Sequence, residues 1–174
     1  TEVVFYDYSK QALAFKSLLL REWDGSDYPR FLKYAIDKYK ISITGGVETQ
    51  GLNDAELWAR EVKIWGGEKA IKENWQRYRQ LKHTLVHVDI CDNPEKITQH
   101  VTPDEDSIIW WSNAFHTVNA HYVRGLQGVT NCYNKWLNLL EKQNENLYIL
   151  GKDFLDRPIE GSTLKEYLNE YRQT

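Results

Sequence analysis

The chain of 174 residues contains no methionine, not even at position 1, and only two cysteines. It begins directly in a strand-like run, so the natural start is expected upstream, in a processed product or part of a longer reading frame. Cys91 and Cys132 form no metal-ligand spacing and read as free thiols of a reducing compartment. There is no signal peptide and no apolar run long enough for a membrane span, so the expectation is a cytoplasmic chain with no membrane partner. Neither sign of charge dominates: 22 Lys and Arg against 25 Asp and Glu give a net charge of −3. That balance gives no global argument for nucleic-acid or membrane binding. The Gly-x-Ser-x-Gly elbow of serine hydrolases is absent, as are the P-loop and any Gly-x-Gly. No repeat and no low-complexity tract occurs.

What the sequence does hold is a heavy aromatic load, 7 Trp and 11 Tyr, suited to core and helix packing. Its patterning alternates strands with helices. Apolar, β-branched runs predict strands at 2–8, 84–90, 107–112 and 146–151. Helical spacing predicts helices at 10–23, 28–39, from Asn53 or Asp54 to about 65, 68–82, 94–100, 114–124, 129–143 and 163–172. Asp24-Gly25-Ser26-Asp27 reads as a stop and a new start, Gly66-Gly67 as a helix end, and 41–51 as a loop. The pattern implies a single α/β domain with a mostly parallel sheet covered on both faces. Residues 26–82 are too long for an ordinary crossover and read as a helical insertion or cap after the first strand.

Three apolar runs end in polar residues, and ligands of open α/β sheets bind at the carboxyl ends of strands. The first run ends Asp7-Tyr8-Ser9, the second His87-Val88-Asp89-Ile90, and the third continues as Trp111-Ser112-Asn113-Ala114-Phe115-His116. Asp7 is an acceptor suited to a ribose diol, or simply a cap on the next helix. Asp89 is the better site candidate of its group, because Asp92 before Asn93-Pro94 reads as an N-cap. Ser112 and Asn113 offer a hydroxyl and an amide at a strand tip. His116 is either a general base or a first-turn histidine packed on Trp110. His83 and His87 can share a strand face, but no histidine pairs with a cysteine at zinc spacing, so no metal site is expected. Residues 72–82 mix bases and aromatics. They read as a solvated helix face, with nucleic-acid stacking the minor option. Gly151-Lys152-Asp153 is too short to specify phosphate binding.

In order and direction, the three strand ends resemble class I S-adenosylmethionine-dependent methyltransferases of the Rossmann-like fold. The run from Val3 to Leu13 is similar to that family's second strand and helix start, the run to Ile90 to its third strand, and Ile108–His116 to its fourth strand and exit loop. The resemblance covers roughly 1–23 and 83–150. It implies that Asp7 and Tyr8 meet the cofactor's ribose, and that Asp89 and Ile90 meet the adenine side. Ser112 and Phe115 would line the donor pocket, while Asn113 and His116 would act at an unidentified small-molecule or macromolecular methyl acceptor. The family's first strand and Gly-rich loop have no counterpart here. A sheet without that strand would expose edges and favour a homo-oligomer. The rival reading is a non-catalytic α/β interaction or assembly protein with a degenerate crevice, and a third is another nucleotide-using enzyme.

Overall fold

The computed structural model describes residues 2–40, 54–102, 105–111, 114–115, 118–143, 147–150 and 161–171. The protein is α/β and divides into two compact units, Thr1–His87 and Val88–Thr174.

In the first unit, β1 (Glu2–Asp7) pairs in parallel with β2 (Lys82–His87), from Glu2 opposite Lys82 to Asp7 opposite His87. Between them run four helices, α1 (Lys10–Glu22), α2 (Tyr28–Tyr39), α3 (Asp54–Ile64) and α4 (Glu68–Arg79). Each boundary has a local cause. Ser9 caps α1, its Oγ accepting the Ala12 N–H at 3.2 Å. Asp27 caps α2 in a left-handed conformation, with Pro29 in the first turn. Gly66 and Gly67 end α3 at positive φ, where the Gly67 N–H donates to the Val62 carbonyl at 2.7 Å and satisfies an end-of-helix acceptor.

The segment expected as an insertion supplies this unit's core. Leu18 and Trp23 pack with Phe31 and Ala35 of α2, and with Trp58 of α3 and Ile71 and Trp75 of α4 around them. The Trp23 ring lies 4.8 Å from Trp75 and 6.2 Å from Trp58, centroid to centroid. Gly25 permits the turn into α2: its φ is +93°, and a Cβ there would lie 3.0 Å from the Lys72 Cα and from two Trp75 side-chain atoms. On the sheet side, the Lys16 ammonium of α1 faces the rings of Phe5 and Tyr78 at 5.3 and 4.6 Å, within cation–π range.

The second unit contains α5 (Glu95–Thr98), β3 (Ser107–Ile109), α6 (Val118–Leu140), β4 (Leu147–Ile149), β5 (Ser162–Thr163) and α7 (Leu164–Tyr171). Its sheet has the order β3-β4-β5, with β3 and β4 parallel and β5 antiparallel. Ile109, Leu147 and Ile149 turn inward to join Trp111, Trp136, Leu137, Leu140 and Tyr167 in the core. Ile108 and Tyr148, register partners on the other face, are exposed. The strict inside–outside alternation of β3 and β4 is that of a sheet packed on one side. The two helices expected at 114–124 and 129–143 form one helical run interrupted at Gly125, whose φ of 66° and ψ of 171° are non-helical. Ser162 and Thr163 form the added strand β5, and Thr163 also caps α7: its Oγ1 accepts the Glu166 N–H at 3.3 Å, while its hydroxyl and N–H donate to the Glu166 carboxylate.

The described strands therefore pair as a two-stranded parallel sheet and a three-stranded mixed sheet. β2 also differs from its expected span, ending at His87 rather than Ile90.

Candidate functional site at the carboxyl end of the first sheet

Parallel register places Asp7 and His87 side by side where β1 and β2 end. The backbone beyond Asp7 turns sharply because its Oδ1 accepts the Ser9 N–H at 2.7 Å. This is a side-chain-closed turn feeding a capped helix. Ser9, and not Asp7, caps the helix; the Asp7 turn occupies one oxygen of a group with two. His87 completes the turn from the other strand, its Nε2 lying 2.9 Å from the Tyr8 carbonyl. A carbonyl only accepts, so Nε2 carries the proton, and Nδ1 of the neutral ring is an acceptor. Tyr8 is 63 % exposed. A carboxylate, an exposed imidazole and an exposed tyrosine thus lie on adjoining residues at the ends of the two strands.

His87 was not among the predicted site residues. With the strand expected to reach Ile90, it read as mid-strand. The signal that could have found it is Asp89-Ile90-Cys91-Asp92-Asn93-Pro94, a turn-forming run that ends the strand early. Asp89 closes that turn, its Oδ1 accepting the Cys91 N–H at 2.8 Å and its carbonyl accepting the Asp92 and Asn93 N–H groups.

The other predicted residues have different surroundings. Asp89 Oδ2 accepts from Arg124 Nη2 at 2.9 Å, and the same nitrogen lies 3.0 Å from Asp92 Oδ1. Both oxygens of Asp89 are engaged, and an adenine or ribose donor would have to displace Arg124. Asp92 is not the expected N-cap, since Pro94 precedes α5 and the Asp92 carboxylate pairs with Arg124 instead. Ile90 is buried. Phe115 is fully buried, its ring 5.1 Å from Tyr133 in an edge-on arrangement. Ser112, Asn113 and His116 lie outside the described residues, as does Gly151-Lys152-Asp153.

The aromatic and basic helix α4 is tied to its own unit. The Trp75 indole donates to the Trp23 carbonyl at 2.8 Å, Arg79 donates to the Trp23 and Arg21 carbonyls, and Lys72 pairs with Asp24. Its outer face, with Lys69, Glu73 and Arg77, lines a shallow depression. Among the described residues no group of three or more His, Cys, Asp or Glu side chains is placed to hold a metal ion.

The two cysteines, far apart in sequence, meet in the second unit. The Cys91 thiol is pushed up to about 12, first by burial and then by its hydrogen bond with the Cys132 thiol.

No family model, curated protein or solved structure matches this chain.

Proposed function

We propose that the chain is an S-adenosylmethionine-dependent methyltransferase-type domain of Rossmann-like descent, with its cofactor's ribose at the carboxyl end of β1. The observation that carries this reading is the pairing of Asp7 with His87 at the ends of two in-register parallel strands. The Asp7 oxygen left by the Ser9 hydrogen bond accepts from a ribose hydroxyl, and Nδ1 of His87 can take a second hydroxyl or hold a water. Exposed Tyr8 offers a stacking face. When bound, the cofactor supplies an electrophilic methyl group. The chain's own part is to orient that group and exclude water from it, which is enough for much of the rate. Asn113 and His116 keep the roles assigned from sequence, positioning the acceptor and taking its proton.

Calorimetric titration with S-adenosylhomocysteine tests this. Saturable binding that is weakened at least tenfold in Asp7→Asn is expected, because the amide places a donor where the diol needs an acceptor. Absence of binding overturns the reading.

A second reading is favoured by one specific observation. The Arg124 contact with Asp89 and Asp92 consumes the carboxylate that the adenine side would use, as in a non-catalytic α/β interaction or assembly protein. Such a protein would bind neither S-adenosylhomocysteine nor any member of a nucleotide panel in a thermal-shift assay, since only a bound ligand raises the melting temperature by mass action.

A further inference from the structure

We propose that Cys91 and Cys132 form a peroxide-responsive dithiol–disulfide pair that locks the 89–95 segment onto α6. Four contacts already join these two parts. Arg124 reaches Asp89 and Asp92, Lys135 Nζ lies 3.2 Å from the Asp92 carbonyl, and the same ammonium lies 3.7 Å from Glu95 Oε2. Cys132 sits between Arg124 and Lys135 in α6. Cys91 is held by its own N–H on Asp89. The ion pairs and hydrogen bonds on either side thus bring the stretch holding Cys91 against the stretch of α6 holding Cys132, and both are free thiols. A disulfide between them requires the sulfurs to close to about 2.05 Å.

The two thiols differ in a way that assigns their order of reaction. Cys91 is buried, while Cys132 is half-buried and meets solvent first. Burial keeps the Cys91 thiol protonated, so the first nucleophile is Cys132. Its sulfur attacks one oxygen of hydrogen peroxide and the O–O bond breaks. The departing hydroxide takes the thiol proton as water, leaving Cys132 as a sulfenic acid. The Cys91 sulfur then attacks the Cys132 sulfur and the S–O bond breaks. The leaving hydroxide takes the Cys91 proton. Two thiols are oxidised by two electrons, and one peroxide is reduced to two waters. The product closes the chain from the turn after β2 to the middle of α6, constraining the unfolded ensemble.

The test treats the full chain with hydrogen peroxide, blocks remaining thiols with N-ethylmaleimide and maps the peptides by mass spectrometry. Expected is a Cys91–Cys132 cross-linked peptide with neither cysteine alkylated, reversal by dithiothreitol, and an upward shift in melting temperature of the oxidised monomer. In Cys91→Ser, Cys132 accumulates as a sulfenic acid trapped by dimedone. In Cys132→Ser, Cys91 stays a thiol at the same peroxide dose. The proposal is overturned if the wild-type chain oxidises at Cys132 alone, if both thiols stay alkylatable, or if cross-links form only between chains. The wild-type mapping decides the matter even if either serine variant folds poorly.

Discussion

At Trp23 the indole N–H closes the turn onto the Ser26 carbonyl at 2.7 Å, while the residue's own carbonyl receives Trp75 and Arg79 from α4. The ring does the packing and the backbone does the tethering. Trp23→Phe is therefore expected to cost about 1 kcal/mol, the value of one hydrogen bond plus minor repacking. Trp23→Ala is expected to cost about 3–5 kcal/mol through the cavity it leaves. Urea denaturation of both variants checks the contrast, and equal costs would contradict it. The neighbouring Asp24 gives a pH signature. Hydrogen bonds from the Ser26 hydroxyl and N–H, with Lys72 beyond them, hold its carboxyl down to about 2 from the ordinary 3.8. A carboxylate lowered in the folded state contributes stability above its unfolded pKa and loses it as pH falls toward the folded one. The loss attributed to Asp24 therefore falls between about pH 4 and pH 2. Its side chain is 57 % exposed, so solvent screening keeps the effect small. Asp24→Asn should flatten the acid limb of the stability–pH curve in that window and leave its neutral region parallel to wild type.

For the elements, turns decide more than propensity. Gly25 sits at φ +93° against Lys72 and Trp75, so Gly25→Ala combines left-handed strain with overpacking. A loss of about 2 kcal/mol or more is expected, measured as a lowered urea midpoint with an unchanged slope. Gly66→Ala meets no neighbour within 4 Å and should cost only the strain of its positive φ, about 1 kcal/mol. Element order was readable from the sequence because the helices carry long periodic runs with polar caps such as Ser9 and Asp27. Strand ends were not. β2 stops at His87 because Asp89 folds its side chain back onto Cys91, a local hydrogen bond that outcompetes the apolar pattern continuing to Ile90. That shift of three residues moved the strand-end position from Ile90 to His87. β5 was missed because two residues carry no periodicity, and only pairing with β4 makes them a strand.

Across the whole molecule, two compact units each own a sheet and a core. The helices between β1 and β2 were expected as an insertion because of their length. Their aromatic residues, Phe31, Trp58 and Trp75, complete the core around Trp23, a role that depends on contacts from distant parts of the chain. Asp7 was readable as a strand-end carboxylate, since an apolar run broken by an acid and a capping serine is a local signal. The partnership of Asp89 with Arg124, and of Cys91 with Cys132, was not readable, since neither spacing matches a helix turn or strand repeat. On the outer face of the second sheet, Ile108 and Tyr148 lie exposed beside an edge formed, among the described residues, by β3. Exposed apolar residues beside a strand edge are where self-pairing of copies would act. Ile108→Lys should then shift the light-scattering mass toward the monomer, and a wild-type chain already monomeric at high concentration would contradict it.

A nucleoside ligand at the ends of β1 and β2 is best sought by backbone amide NMR of the chain titrated with S-adenosylhomocysteine. Saturable shifts concentrated at Tyr8, Ser9 and His87, and lost in Asp7→Asn, are expected. Unchanged spectra, or shifts confined to residues remote from that strand edge, would contradict that placement.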